Sequence, residues 1–398
     1  MKDDRLRDRL RELRVPGESE AEERGWDLAR RAFGEREPIR RSLTRPRLLV
    51  AVAAVAVLLA LALLSPAGAA VRNWVSDVFG QENARPALTS LPAPGKLLVD
   101  SQRGIWVVQV DGSQRLLGAY REATWSPRGL YVAAVRGPQL TALEPDGDPR
   151  WTVTGSRPVS SPSWQAPDGF RIAYLSGSSL RVVAGDGTGD HQVDGRVAPI
   201  APAWRPGARH ILAFVDQGGT VRLLDTDSER RVRSVGFPAA HDLAWSPDGG
   251  TLAVATDSRV AFVPTAGRGA GRSRAILTPA QPNSIAEQVA FSPSGDRLAF
   301  IRASTGASAS TELVLGSWSA EGIKERSLFS GPGHLIDPTW SPDGRWLLVG
   351  WREADQWLFI DTRNPSRIVA IANIARQFDP GGEAAGAFPR ISGWCCAP

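Results

Sequence analysis

The sequence contains few of the residues from which most catalytic and metal-binding sites are built. Only four histidines and two cysteines occur among 398 residues. There is no Gly-x-Ser-x-Gly elbow, no His-Glu-x-x-His pair and no phosphate-binding loop ending in Gly-Lys, which excludes the common serine-hydrolase, zinc-protease and P-loop signatures. We therefore expect no catalytic residue, no cofactor and no metal site.

The two cysteines, Cys395 and Cys396, are adjacent at the C-terminal end. Adjacent cysteines form a disulfide with each other only in a strained ring, and they can instead crosslink two chains or stay as free thiols. Their spacing alone offers no metal-binding pattern. The sequence leaves these three states open.

The chain also lacks a large excess of charge of one sign outside its N-terminal segment. Of 47 basic and 42 acidic residues, 14 and 11 lie in residues 1–47, which leaves 33 and 31 for the remainder. The pI of about 9.7 therefore reflects no dense basic stripe. We expect no nucleic-acid partner.

One long apolar segment predicts a membrane anchor. Residues 48–64 are uncharged and apolar, and residues 65–71 extend the uncharged segment to a length that crosses a bilayer. Four arginines precede it within residues 40–47, whereas only Arg72 follows closely, so the positive-inside rule places the N-terminus in the cytoplasm. A cleaved signal peptide, suggested by the small residues 67–70, is the alternative to an uncleaved helix at 48–71.

The segments on either side of this anchor differ in character. Residues 1–47 are just over half charged and predict two short helices, the second of which places Trp26 and Phe33 on one face. This face is a candidate docking site for a cytoplasmic protein; the alternative is a charged tail that mainly fixes topology. Residues 72–95 contain several prolines and predict a stalk.

From residue 96 onward the chain repeats itself at the spacing of a propeller blade. An aromatic residue followed by a turn sequence recurs at intervals of 39 to 49 residues, a period typical of four-stranded blades. In four of the six repeats the turn reads Ser-Pro-x-Gly, whose order suits a type I turn, and an apolar strand follows the turn in every repeat. The six anchor residues are Trp125, Trp164, Trp204, Trp245, Phe291 and Trp340.

The Trp-Ser-Pro-Asp-Gly turn followed by a Leu-Ala-Val or Leu-Ala-Phe strand resembles the repeat of the TolB-type, WD-repeat-like propeller family of bacteria. The resemblance covers residues 96–398. It departs from true WD repeats, because no Trp-Asp dipeptide ends a third strand. The family implies an all-β propeller of sequential blades.

The two ends of this region predict how the propeller closes. Three strands precede Trp125 without an anchor strand of their own, and Trp394 marks an anchor strand without followers. Joining them gives a seventh blade and leaves no exposed edge. We predict an all-β, seven-bladed propeller over 96–398; six blades with both ends outside is the alternative.

Three of the six repeats have an acid at the position three residues before the anchor: Glu122, Asp242 and Asp337. In a propeller the innermost strands begin at the mouth of the central channel, so these carboxylates would face one opening. We interpret them as a ring that binds a cation or a basic group of a partner; a solvated strand entrance is the alternative.

The segments together predict a single-pass membrane protein that displays a non-enzymatic propeller outside the cytoplasm. Its partner would be a protein or ligand of the cell envelope. Two alternatives remain: a transmembrane regulator of anti-sigma-like layout, acting through Trp26 and Phe33, and a hydrolase whose channel acids carry the reaction.

Overall fold

The computed structural model describes residues 84–396 apart from residues 168–169, 208, 238, 266–273, 277–283, 305–309, 320–321 and 382–387. In this part of the chain no helix has the length and apolar character needed to cross a bilayer. The predicted tail at 1–47, with Trp26 and Phe33, and the predicted anchor at 48–71 lie outside the described residues.

The described chain begins with three strands and ends with one, as the repeat pattern predicts. The first three are β1 (Lys96–Ser101), β2 (Gly104–Val108) and β3 (Gln114–Gly118). Six consecutive four-stranded sheets follow, which we number blades 1 to 6. In each of them the strands pair antiparallel in chain order, from the innermost strand to the outermost.

Blades 1 to 3 contain the next twelve strands. Their second strands are almost fully buried because neighbouring blades cover both faces. The strands are β4 (Arg121–Trp125), β5 (Val132–Arg136), β6 (Gln139–Leu143), β7 (Pro149–Thr154), β8 (Val159–Trp164), β9 (Arg171–Ser176), β10 (Ser179–Ala184), β11 (His191–Asp194), β12 (Ala203–Trp204), β13 (Ile211–Val215), β14 (Thr220–Asp225) and β15 (Arg230–Gly236).

Blades 4 to 6 repeat this arrangement, and blade 5 has the longest outer hairpin. Their strands are β16 (Ala240–Trp245), β17 (Thr251–Thr256), β18 (Arg259–Pro264), β19 (Arg274–Ile276), β20 (Ser284–Phe291), β21 (Arg297–Ser304), β22 (Ser310–Ser319), β23 (Gly322–Pro332), β24 (Leu335–Trp340), β25 (Trp346–Trp351), β26 (Gln356–Asp361) and β27 (Ile368–Ala372).

The chain then returns to its first strands and closes the ring. A short helix, α1 (Ile374–Phe378), precedes β28 (Arg390–Cys395), which pairs antiparallel with β1. The resulting sheet, β28-β1-β2-β3, is the closing blade. Its formation confirms the seven-bladed arrangement and excludes the six-bladed alternative.

The core consists of seven apolar clusters, one between each pair of neighbouring blades. Five of the seven anchor residues, all of them tryptophans, are less than 10% exposed; Trp164 and Phe291 are half-buried. Most buried indoles also bond back to the preceding blade: the Nε1 of Trp340, for example, donates to the Ala290 carbonyl oxygen at 3.0 Å. The anchors therefore tie blades together as well as filling the space between them.

The last part of the segment predicted as a stalk packs on the propeller. Arg85 forms a short parallel bridge with Ile371 of β27. Leu88 and Leu91 are buried in the cluster between blade 6 and the closing blade. Residues 85–91 thereby cover the seam where the ring closes.

The predicted turn after each anchor is present in four repeats. In blade 4 the Gly249 backbone N–H donates to the Ser246 carbonyl oxygen at 2.8 Å, and the Ser246 hydroxyl accepts from the Thr251 backbone N–H at 2.9 Å. Gly249 has a φ of 65°, a conformation that favours glycine. Equivalent turns follow Trp125, Phe291 and Trp340.

Candidate functional site

The position three residues before the anchors is a β-bulge in most inner strands. Glu122, Ser161, Gln288 and Asp337 all have positive φ values, between 40° and 56°. The pairing of the inner strand with the second strand shifts register at each of them. A bulge bends the strand and re-aims its side chain. The repeat that the sequence shows at this position is therefore a backbone irregularity shared by several blades.

The three predicted ring acids each accept a backbone hydrogen bond from the next blade. The bonds run from Ser161 N to Glu122 Oε2 at 2.5 Å, from Val289 N to Asp242 Oδ2 at 2.9 Å and from Ile391 N to Asp337 Oδ2 at 3.1 Å. Ser161 is itself a bulge residue, and Val289 directly follows the bulge at Gln288. Each carboxylate therefore joins its own blade to the next one, and we call such a hydrogen bond a latch.

Two residues outside the predicted ring continue this series of latches. The Gln288 Oε1 atom accepts from the Asp337 backbone N–H at 2.6 Å. The Asp100 Oδ2 atom accepts from the Glu122 backbone N–H at 2.9 Å, which joins the closing blade to blade 1. Asp100 lies in β1, so the position of the anchors gave no signal for it.

The chain supplies its own cation to this ring. Arg390, the first residue of β28, places its Nη2 atom 2.8 Å from Asp337 Oδ1. Hydrogen bonding and charge from Asp337, together with the more distant charges of Asp100 and Glu122, raise the pKa of Arg390. Arg390 stands four residues before the anchor Trp394, as Arg121 stands four residues before Trp125. A ring defined by the position three residues before each anchor therefore does not include it.

Asp242 is the most strongly perturbed acid of the ring. Burial raises its pKa to about 6, against the opposing effect of the Val289 and Leu243 backbone N–H groups, which both donate to its oxygens at 2.9 Å. The nearby Asp337 charge raises the pKa further, and Arg390 lowers it. Burial also raises the pKa of Asp100, despite the hydrogen bond from Glu122 and the charge of Arg121.

Two cavities of about 580 and 630 Å³ open at this end of the channel, and Gln288 and Arg390 line both. The larger one, which we call the acidic cavity, has three acids in its wall, Asp242, Glu287 and Asp337. The smaller one, which we call the arginine cavity, contains three guanidinium groups and one carboxylate beside an apolar wall. Its side chains are Asp100, Ser101, Gln102, Arg121, Gln288, Ile336, Arg352, Phe388 and Arg390.

The three arginines of this cavity differ in the hydrogen bonds and ion pairs that they make. Arg121 donates to the Ser101 and Gln102 carbonyl oxygens and lies 3.6 Å from Asp100. Arg390 is bound to Asp337, although its side chain is 65% exposed. Arg352 is exposed and makes no ion pair with any described residue. The cavity is therefore suited to bind an anionic group.

The described residues contain no group of three His, Cys, Asp or Glu side chains arranged to hold a metal ion. Cys395 and Cys396 lie at the end of the closing blade, where they are joined to each other by a disulfide. Whether Glu122, Asp242 and Asp337 bind a cation or a basic group of a partner stays a prediction.

Neither a protein-family model nor a curated protein matches this sequence. Solved structures match its fold. A functionally unknown protein from Desulfotomaculum acetoxidans is 14% identical, with a TM-score of 0.55 over 76% of this chain and 99% of that one.

Two proteins to which 6-phosphogluconolactonase activity is provisionally ascribed are also similar, each with a TM-score of 0.51. The one from Bacteroides uniformis is 16% identical and matches 70% of this chain and 97% of its own. The one from Bacteroides fragilis is 14% identical and matches 71% and 96%. At these identities the likeness shows the seven-bladed propeller and nothing finer.

Proposed function

We propose that this chain is a single-pass membrane protein with its N-terminus in the cytoplasm, and that its propeller binds a partner outside the cytoplasm without catalysing a reaction. The apolar segment at 48–71 and the arginines before it support the topology. The propeller supports the binding role, because a closed ring of blades is a rigid frame for surface sites.

The arginine cavity is the observation that carries the binding proposal. Three guanidinium groups surround a space of about 580 Å³ with one carboxylate, and Arg352 has no ion pair among the described residues. Ile336 and Phe388 add an apolar wall. We infer that the partner places a carboxylate or phosphate in this cavity, with an apolar group beside it.

Topology and binding are tested separately. For topology, intact spheroplasts carrying the full-length chain with an N-terminal tag are treated with protease. We expect the propeller to be digested and the tag protected; a protected propeller would contradict the topology.

For binding, the purified full-length chain is titrated with citrate, a small polyanion, in a calorimeter. Arg352→Ser should weaken citrate binding about tenfold, because a charged hydrogen bond is lost, whereas Arg115→Ser, at a surface arginine outside the cavity, should leave it unchanged. Equal binding by both variants would contradict the assignment of the cavity.

A channel-site hydrolase is the second candidate, and one observation favours it. Asp242 has a pKa of about 6 and lies beside His241 in the wall of the acidic cavity, and a carboxyl group that titrates near neutrality suits general acid–base catalysis. Its two oxygens already accept backbone hydrogen bonds, which is why we rank this function second. Hydrolysis of a lactone or phosphate ester that is lost in Asp242→Asn but retained in Glu287→Gln would favour the enzyme.

A further inference from the structure

An exposed aromatic cleft lies between blades 1 and 2, with a volume of about 350 Å³. Leu130 is 60% exposed, Phe170 is 58% exposed and Tyr131 is 36% exposed. The ring of Tyr131 stacks on Trp164 with a centroid separation of 6.5 Å and an interplanar angle of 13°. We call this the blade 1–2 cleft; its side chains are Ser126, Pro127, Arg128, Leu130, Tyr131, Trp164, Pro167 and Phe170.

The repeat itself shows that the exposed side chains are not required by the fold. Leu130 and Phe170 occupy the same repeat position, directly after the turn glycine and one or two residues before the second strand. At this position blades 4, 5 and 6 carry Gly250, Asp296 and Arg345. Propellers of this kind therefore form with small or charged residues there, and two neighbouring blades instead present large apolar groups to solvent.

The turn below Leu130 departs from the repeat in the same way. Blades 4 and 6 carry Asp248 and Asp343 in the turn, and each accepts a hydrogen bond from the preceding serine hydroxyl at 2.5 Å. In blade 1 this place is taken by Arg128, which is exposed and makes no ion pair among the described residues. A stabilising acid is thus replaced by a free cation at the rim of an apolar cleft.

The cleft and the arginine cavity lie at opposite ends of β4. Arg121, the first residue of this strand, lines the arginine cavity, and Ser126, the residue after its last, lines the cleft. The two surfaces therefore belong to opposite faces of the ring. A ligand in the channel mouth does not account for the exposed side chains of the cleft.

We propose that the blade 1–2 cleft binds an extended, proline-rich peptide segment of a partner protein, with an acidic residue of that segment placed against Arg128. Grooves built from Tyr, Trp and Pro side chains suit the polyproline II conformation, whose rings and backbone pack on flat aromatic surfaces with little loss of entropy. Exposed apolar side chains that lie together, rather than singly, are candidates for a protein interaction site. Arg128 supplies the charge complementarity.

The lining argues against a carbohydrate as the occupant. A sugar carries a hydroxyl on nearly every carbon, and binding it leaves these groups unsatisfied unless the site offers polar partners. Among the described residues that line the cleft, Arg128 is the only one with a charged side chain. The hydroxyl of Ser126 already accepts from the Tyr131 backbone N–H at 2.9 Å. Apart from Arg128, the Tyr131 hydroxyl and the Trp164 indole N–H, the described side chains of the cleft are apolar or already bonded, so a sugar would leave most of its hydroxyls without a partner.

The experiment measures fluorescence anisotropy of a labelled decapeptide, two Pro-Leu-Pro units followed by two glutamates, with the full-length chain. The variant Leu130→Asp with Phe170→Arg carries the residues of blades 5 and 6 and so should fold. We expect it to weaken binding about tenfold or more, since exposed anchors dominate such interfaces. Arg128→Asp should weaken binding about threefold, and less at high salt.

The controls separate this proposal from its alternatives. Val232→Ser removes an apolar side chain that is 58% exposed on blade 3 and should leave affinity unchanged. A peptide with alanine in place of every proline should bind at least about tenfold more weakly. No saturable binding of the proline peptide, equal binding of the alanine peptide, or an unchanged affinity in the double variant would overturn the proposal. So would binding of cello-oligosaccharides that the double variant abolishes, or a dimer that the same variant dissociates.

Discussion

Replacing Asp337 by alanine is expected to destabilise the propeller by about 3 kcal/mol, because this residue holds the closing blade to blade 6. Its carboxylate is buried at 9% exposure and accepts from the Ile391 backbone N–H at 3.1 Å. It also binds Arg390 at 2.8 Å. No other latch joins β24 to β28 among the described residues, so the loss concentrates at the seam of the ring.

The expected loss of stability is the sum of the free-energy costs of the contacts that alanine removes and of its positive φ. The Ile391 N–H is buried and loses its acceptor, which costs about 1–3 kcal/mol. Alanine at the positive φ of 56° adds about 1 kcal/mol, since aspartate tolerates this conformation better. Arg390 is 65% exposed and is resolvated, so its ion pair contributes at most about 1 kcal/mol.

The assay compares Asp337→Ala with Asp337→Asn in urea denaturation. Asparagine keeps an oxygen for Ile391 and tolerates the backbone, so it should cost about 1 kcal/mol. Hydrogen exchange should accelerate in β28 and β1 for alanine alone. Asp146→Asn, which changes an exposed turn carboxylate, is the control and should be close to neutral. If alanine destabilises no more than asparagine, the backbone latch is not what holds the ring closed.

Three further predictions use contrasts within the repeats. Trp340→Phe should destabilise the protein by about 1 kcal/mol more than Trp125→Phe in thermal or urea unfolding. The Trp340 indole N–H donates to the Ala290 carbonyl oxygen, whereas the Trp125 indole N–H has no partner among the described residues. Equal losses of stability would refute this role of the Trp340 hydrogen bond. Asp242 has a pKa raised from 3.8 to about 6, so the folded state binds the extra proton and stability should fall as pH rises between these values, by at most about 3 kcal/mol. Urea unfolding of Asp242→Asn should lack this fall, and an unchanged pH dependence would contradict the assignment. Gly249→Ala should destabilise the protein by about 3 kcal/mol in urea unfolding, and Gly137→Ala by about 1 kcal/mol. Both glycines have positive φ, but only at Gly249 would a Cβ meet a backbone atom, the Pro206 oxygen at 2.5 Å. Similar losses in the two variants would contradict this steric explanation.

The sequence was sufficient to predict the blades because each blade is built from local signals. The anchors, the Ser-Pro turns and the apolar second strands lie within a few residues of one another and recur at one period. Trp394, without following strands, was enough to predict closure with the first three strands. The burial of Trp164 and Phe291 was less predictable, since each meets a ring of another strand, Tyr131 and Trp318 respectively, that no local pattern assigns.

The site was only partly predictable, because its contacts join residues about 20 to 54 positions apart. The offset identifies the acids Glu122, Asp242 and Asp337, but their partners are backbone amides of the next blade, which no side-chain pattern reveals. Arg390 stands one residue outside the offset. Its role depends on the closing blade bringing β28 beside β24, and a repeat pattern does not specify which side chains meet at a seam.

Shared positions and departures from the repeat have different physical explanations. The ring acids and most of the buried anchor tryptophans bond the neighbouring blade, whereas the turn serines bond within their own blade, and these hydrogen bonds give each shared position a role in the fold. Within the described part of the chain, the side chains of the departures make no such bonds. Leu130 and Phe170 expose apolar area where blades 4, 5 and 6 carry a glycine or a charged residue. Arg128 exposes a cation where blades 4 and 6 carry an aspartate, and Arg352 makes no ion pair among the described residues. Because exposed apolar surface and unpaired charge gain nothing for folding, binding is the explanation that fits them, and the departures are where partners should be sought.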